Sequence, residues 1–88
     1  MPVLVVPASL RQLTDGRDRF EVEGRTLRQV FEAVGRECPA LAARVVEDGD
    51  IRTDIAIAID GTILDGGELV TEVAPDAEIY LVPPIGGG

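Results

Sequence analysis

Leu27, Val30, Phe31 and Val34 fall at i, i+3, i+4 and i+7, so a helix through them carries one continuous apolar stripe. Such a stripe has to be covered. Arg28, Gln29, Glu32 and Arg36 occupy the opposite side, which makes the helix amphipathic and lays it across another layer. Thr26 is placed to act as its N-cap, and Pro39 disfavours helical geometry at Cys38, so the helix is predicted to run from Leu27 to near Glu37.

The covering layer reads as strands. Val3-Leu4-Val5-Val6 is a β-branched run bounded by prolines, and Arg19 to Glu23 alternates with Phe20 and Val22 on one face. Ile55, Ile57 and Ile59 alternate with alanines and read as a central strand covered on one side by the helix. Asp60-Gly61 is a hairpin signal that returns the chain as Thr62-Ile63-Leu64. The last strand is Glu78 to Val82; Ile79 and Leu81 are expected inward, and Tyr80 and Val82 outward, because the tyrosine hydroxyl wants a partner or water. Pro39 to Val46 is predicted as a second short helix with proline in its first turn. Thr14-Asp15-Gly16 and Asp65-Gly66-Gly67 read as turns and Glu47 to Asp50 as a loop, while Ala8 to Gly16 has no clear period. Leu69 and Val73 are expected to add core contacts.

A chain of 88 residues has room for one domain. No stretch approaches the roughly 20 apolar residues of a membrane span. Met1-Pro2-Val3 lacks the charged and apolar regions of a signal peptide, so the cytoplasm is the expected location. Cys38, the single cysteine, cannot form an internal disulfide and is expected as a small buried hydrophobe at a helix end. The formal charge of −8 repels nucleic acid and anionic membranes and favours a basic partner surface, which it is expected to guide into contact. All eight basic residues are arginines, so no lysine is available for isopeptide attachment. Without histidine, and with Ser9 and Cys38 as the only serine and cysteine, the usual base for a nucleophile is missing and Cys/His metal sites cannot be assembled. Glu47, Asp48 and Asp50 around Gly49 lack the spacing of an EF-hand loop and read as a solvated turn. The chain is therefore expected to bind no cofactor or metal and not to be an enzyme in its own right.

The end of the chain is Pro83-Pro84-Ile85-Gly86-Gly87-Gly88. Three terminal glycines cannot pack a core, and a backbone without Cβ atoms passes through a channel that side chains would block. The prolines end the strand and stiffen the stalk, which spans about 20 Å when extended. A domain over residues 1–83 and a flexible glycine tail over 84–88 are expected.

The order of a hairpin, a helix crossing the sheet and further strands that end beside the first predicts an α+β fold of the β-grasp, ubiquitin-like kind: a mixed sheet covered by one amphipathic helix. The segment Ile79-Tyr80-Leu81-Val82-Pro83-Pro84-Ile85-Gly86-Gly87-Gly88 resembles the C-terminus of the ThiS/MoaD sulfur carriers, the small ubiquitin-like proteins of thiamin and molybdopterin biosynthesis. Gly86 stands where those chains carry a small residue. The resemblance extends upstream through the helix, Cys38-Pro39-Ala40-Leu41 and Ile55 to Gly61. It implies that an E1-like enzyme uses ATP to adenylate the Gly88 carboxylate, and that a sulfur donor displaces AMP to leave a thiocarboxylate for a sulfur-accepting synthase. Gly86 and Gly87 would thread the enzyme's channel, and Tyr80, Val82, Pro84 and Ile85 would contact the partner. Length, the second short helix and Pro-Pro-Ile favour a molybdopterin-type acceptor. A ubiquitin-like modifier conjugated through Gly88 and a β-grasp module that only binds a partner stay open as alternatives.

Overall fold

The structure, a computed structural model, describes residues 1–64 and 68–82. In chain order the elements are β1 (Val3–Val5), a 3-10 helix (Ala8–Thr14), β2 (Arg19–Glu21), α1 (Leu27–Glu37) and α2 (Pro39–Val45). They continue with β3 (Val46–Glu47), β4 (Asp50–Ile51), β5 (Ala56–Ile59), β6 (Thr62–Ile63), a 3-10 turn (Glu68–Val70) and β7 (Glu78–Val82). Five strands form one sheet in the order β2-β1-β7-β5-β6, and β3 and β4 make a separate hairpin. β1 and β7 are parallel while β2, β5 and β6 pair antiparallel with their neighbours, the mixed β-grasp sheet that the sequence predicts. The strand Ala56–Ile59 is interior, and the middle of the sheet belongs to β7.

One face of the sheet meets the helices. Leu4, Phe20, Ile57, Ile79 and Leu81 from the strands are buried with Leu27, Val30, Phe31 and Val34 of α1 and Leu41 and Val45 of α2. Each such side chain removed from water contributes about 1.5–3 kcal/mol, and this is what holds α1 to the sheet. Phe20 is closed off by Arg17, whose guanidinium lies 4.1 Å over the ring and whose Nη1 reaches Glu37 Oε1 at 3.0 Å. Leu69 and Val73 are buried as expected; Ile59, at the turn end of β5, is only half-buried.

The start of α1 is fixed from two sides. The Thr26 side chain accepts from the Gln29 N–H at 3.3 Å, and the Arg25 N–H donates to Gln29 Oε1 at 2.7 Å. The Leu27 N–H, which no helical carbonyl can reach, donates to Thr71 O at 3.0 Å, and the Val73 N–H donates to Arg25 O at 2.9 Å. Gly24 belongs to this joint: a Cβ there would stand 2.9 Å from the Val30 nitrogen.

Two segments differ from expectation. Ala8–Thr14 winds as a 3-10 helix closed by Asp15 in the left-handed region, and the Gly16 N–H donates to Arg11 O at 2.9 Å. The expected loop at Glu47 to Asp50 is the tip of the β3–β4 hairpin, with φ of 54° at Asp48 and 77° at Gly49. Positive φ at both central residues is the geometry of the two-residue turns that Asp-Gly favours. Asp60-Gly61, the hairpin signal that was recognisable, has the same pair of signs, 50° and 87°. The expected turn at 65–67 lies outside the described residues.

Phe31 is 4% exposed. Phe31→Ala is expected to cost about 3–5 kcal/mol, read as a drop in urea midpoint with an unchanged slope; an unshifted midpoint would mean that α1 is not the core's lid. Gly24→Ala should also lower the melting temperature, because its backbone neighbour cannot move away without disturbing the first turn of α1.

Candidate functional site

β7 delivers the chain to its C-terminal segment, and its alternation decides what surrounds the exit. Ile79 and Leu81 point into the core, while Tyr80 and Val82 are 39% and 38% exposed on the other face. That is the expected orientation. Tyr80 lies between Val5 of β1 and Ala58 of β5, and Val82 stands opposite Ala56. Ala58 in turn pairs with Ile63, which is 61% exposed. An apolar strip therefore crosses the outer face from Val5 through Tyr80 and Ala58 to Ile63, and widens at Val82 and Ala56. Tyr80 and Val82 were recognisable from the sequence; Val5, Ala56, Ala58 and Ile63 join them only through strand register. Pro84, Ile85, Gly86, Gly87 and Gly88 lie outside the described residues, as does the expected domain boundary at Pro83.

Two residues before Ala56, at the same end of the sheet, Asp54 is gripped by Arg52. Arg52 Nε donates to Asp54 Oδ1 at 3.1 Å and Nη2 to Oδ2 at 3.2 Å, a two-pronged contact that fits a planar guanidinium to a carboxylate. Arg52 Nη1 also donates to Glu47 Oε2 at 3.2 Å, and Arg44 Nη1 stands 3.9 Å from Asp54 Oδ2. The hydrogen bonds from Arg52, helped by the charges of Arg52 and Arg44, hold the Asp54 carboxyl below the usual carboxylate range against a smaller opposing desolvation. The same partners raise the Arg52 guanidinium.

The remaining candidates are occupied locally. Cys38 is half-buried where α1 meets α2, and its thiol donates to Leu13 O at 3.2 Å. It stands on the helical side of the sheet, away from Tyr80 and Val82. Asp50 Oδ1 accepts from the Ile51 N–H at 2.8 Å. Among the described residues no three His, Cys, Asp or Glu side chains are grouped to hold a metal ion, and no helix is long and apolar enough to cross a membrane.

The sequence model of the ThiS family matches residues 4–88. No curated protein sequence matches the chain. Among solved structures, one chain of the Amycolatopsis orientalis BexX/CysO complex superposes with a TM-score of 0.91 at 22% identity, all of each chain being covered. Mycobacterium tuberculosis CysO superposes at 0.86 with 19% identity, over 97% of this chain and 100% of that one. SAMP1 from Haloferax volcanii superposes at 0.76 with 28% identity, over 99% and 98%.

Asp54 supplies a pH prediction. A carboxyl lowered in the folded state contributes stability that is present above its unfolded value of about 3.9 and is lost as pH falls through the folded value. Asp54→Asn should therefore lower the melting temperature near neutrality and converge with the unsubstituted chain in acid. The shift will be small, because the pair is solvent-exposed. Thermal melts at about pH 6 and about pH 3 check this, and a deficit that is the same at both would remove it.

Proposed function

The chain belongs to the ThiS family, and from that premise we propose that it is a ubiquitin-like sulfur carrier whose Gly88 carboxylate is the working group. The observation that carries this reading is that the family match runs through residue 88 and so includes the glycine end, which is separated from the central strand by three residues in the sequence. In the proposed sequence an oxygen of the Gly88 carboxylate attacks the α-phosphorus of ATP on an E1-like partner and pyrophosphate leaves. A sulfide-equivalent donor then attacks the acyl carbon, AMP leaves, and Gly88 ends as a thiocarboxylate. The carrier's own part is mechanical and positional. Gly86 and Gly87 offer a side-chain-free backbone to the partner's channel; Pro84 and Ile85 carry the approach, and Tyr80 and Val82 give the partner an apolar footing. The domain thus comprises residues 1–83 and the tail 84–88.

ATP is held by the partner in this reading, and the sulfur passes to an accepting synthase. A molybdopterin-type acceptor rests on chain length, α2 and Pro83-Pro84-Ile85; neither CysO nor SAMP1 is named for that pathway. A second reading, conjugation through Gly88 to amines of other proteins, is favoured by the 25% identity to a Methanosarcina acetivorans protein named small archaeal modifier protein 1. Its product is an amide where the carrier's is a thiocarboxylate.

Intact-protein mass spectrometry after incubation with the activating enzyme, ATP and a sulfur source should show one oxygen of the chain exchanged for sulfur. Removal of Gly87 and Gly88 should abolish the change and leave the melting temperature intact, since neither residue has a side chain to pack. Cys38→Ser should retain it. Sulfur found on Cys38, or a truncated chain that is still modified, would overturn the carrier reading, and an amide to a target amine would favour the second.

A further inference from the structure

The apolar strip is one of two rows on the outer sheet face. The second lies two residues nearer the start of β7, about 7 Å away along the strands. There Val3 of β1 is flanked by Glu21 of β2 and Glu78 of β7. Both glutamates are exposed on this face, since Phe20 and Ile79 beside them point into the core. Asp60 closes the row: its N–H donates to Glu78 O at 2.9 Å and its Oδ1 accepts from the Glu78 N–H at 3.0 Å. The arginines in ion pairs, Arg17, Arg44 and Arg52, are matched with Glu37, Glu47 and Asp54. Among the described residues no arginine reaches Glu21 or Glu78, so their charge faces outward without a partner. The apolar row ends instead at Arg19, which pairs with Val5. Along β2 the outward charge changes sign between Arg19 and Glu21.

We propose that this face is a two-row docking surface for a basic protein surface, the adenylating partner, and that Glu21 and Glu78 select it. Such a partner presents an apolar patch to Tyr80, Val82 and Ile63. About 7 Å from that patch it carries lysine or arginine side chains that meet the glutamate row. Arg19, at the β2 end of the apolar row, repels those basic groups from that row and leaves the glutamate row as their place. The carboxylates thereby fix the direction in which the domain lands, with the end of β7 on the far side from the charged contact. The proposal rests on the carrier reading and adds to it where the overall negative charge acts.

The test compares two variants with the same change in net charge, Glu21→Arg with Glu78→Arg and Glu32→Arg of α1 with Glu72→Arg, an exposed residue bridged to Thr26 at the start of α1, each loaded by the adenylating enzyme that thiocarboxylates the unsubstituted chain. At low salt the first pair should raise KM by about tenfold with kcat unchanged, and the helix-side pair should stay near the unsubstituted value. The difference should shrink in about 0.5 M salt. Circular dichroism confirms folding, and the milder Glu21→Gln with Glu78→Gln, expected to move KM in the same direction, decides the matter if the arginine pair is unfolded. Equal KM changes in both pairs, or none in either, would overturn the row while leaving the carrier reading in place. A chain that the enzyme never loads would overturn both.

Discussion

The pairing on which the rest of the structure depends is the parallel contact between β1 and β7, which joins residues near the two ends of the chain in the middle of the sheet. A parallel pair cannot be made by a tight turn; it requires a crossover, and here everything from the 3-10 helix at Ala8–Thr14 to the 3-10 turn at Glu68–Val70 is that crossover. The helices within it fall on one face because Leu4, Ile57, Ile79 and Leu81 offer the apolar surface that α1 needs. Among the described residues no helix covers the other face, and it is on that face that Tyr80 and Val82 emerge. Core and candidate docking surface are thus the two sides of one strand.

Charge follows a similar division. The arginine pairs with Glu37, Glu47 and Asp54 tie segments of the chain to one another, and Arg52 serves two carboxylates at once. Exposed pairs of this kind contribute little to stability, so their main effect is to decide which carboxylates stay uncompensated. Those on the outer face, Glu21 and Glu78, are among them. An acidic chain with eight arginines is therefore not uniformly acidic to a partner.

What the sequence made legible was local. The period of Leu27 to Val34, the Thr26 cap and the alternation of Glu78 to Val82 each depend on neighbours within a few residues, and each stands where it was expected. The glycine end is a chemical signal that is noticed without a fold, and it lies outside the described residues. The 3-10 helix at Ala8–Thr14 escaped because its tighter winding leaves no 3.6-residue stripe. The β3–β4 hairpin escaped because two residues per strand are too few to alternate, although Asp48-Gly49 repeats the signature of Asp60-Gly61. Val5 and Ala58 become neighbours of Tyr80, and Ile63 a neighbour of Ala58, only through strand register. The bond from Leu27 to Thr71 is of the same non-local kind.

The central position of β7 also has a mechanical side. A force applied to the chain just beyond Val82 acts along a strand that is hydrogen-bonded to β1 on one flank and β5 on the other. It loads those bonds in shear, many at once, where a strand at the sheet's edge would peel away bond by bond. The burial of Ile79 and Leu81 beneath the helices adds to the resistance. A pull on the chain beyond Val82 therefore works against an anchor and does not simply unzip an edge.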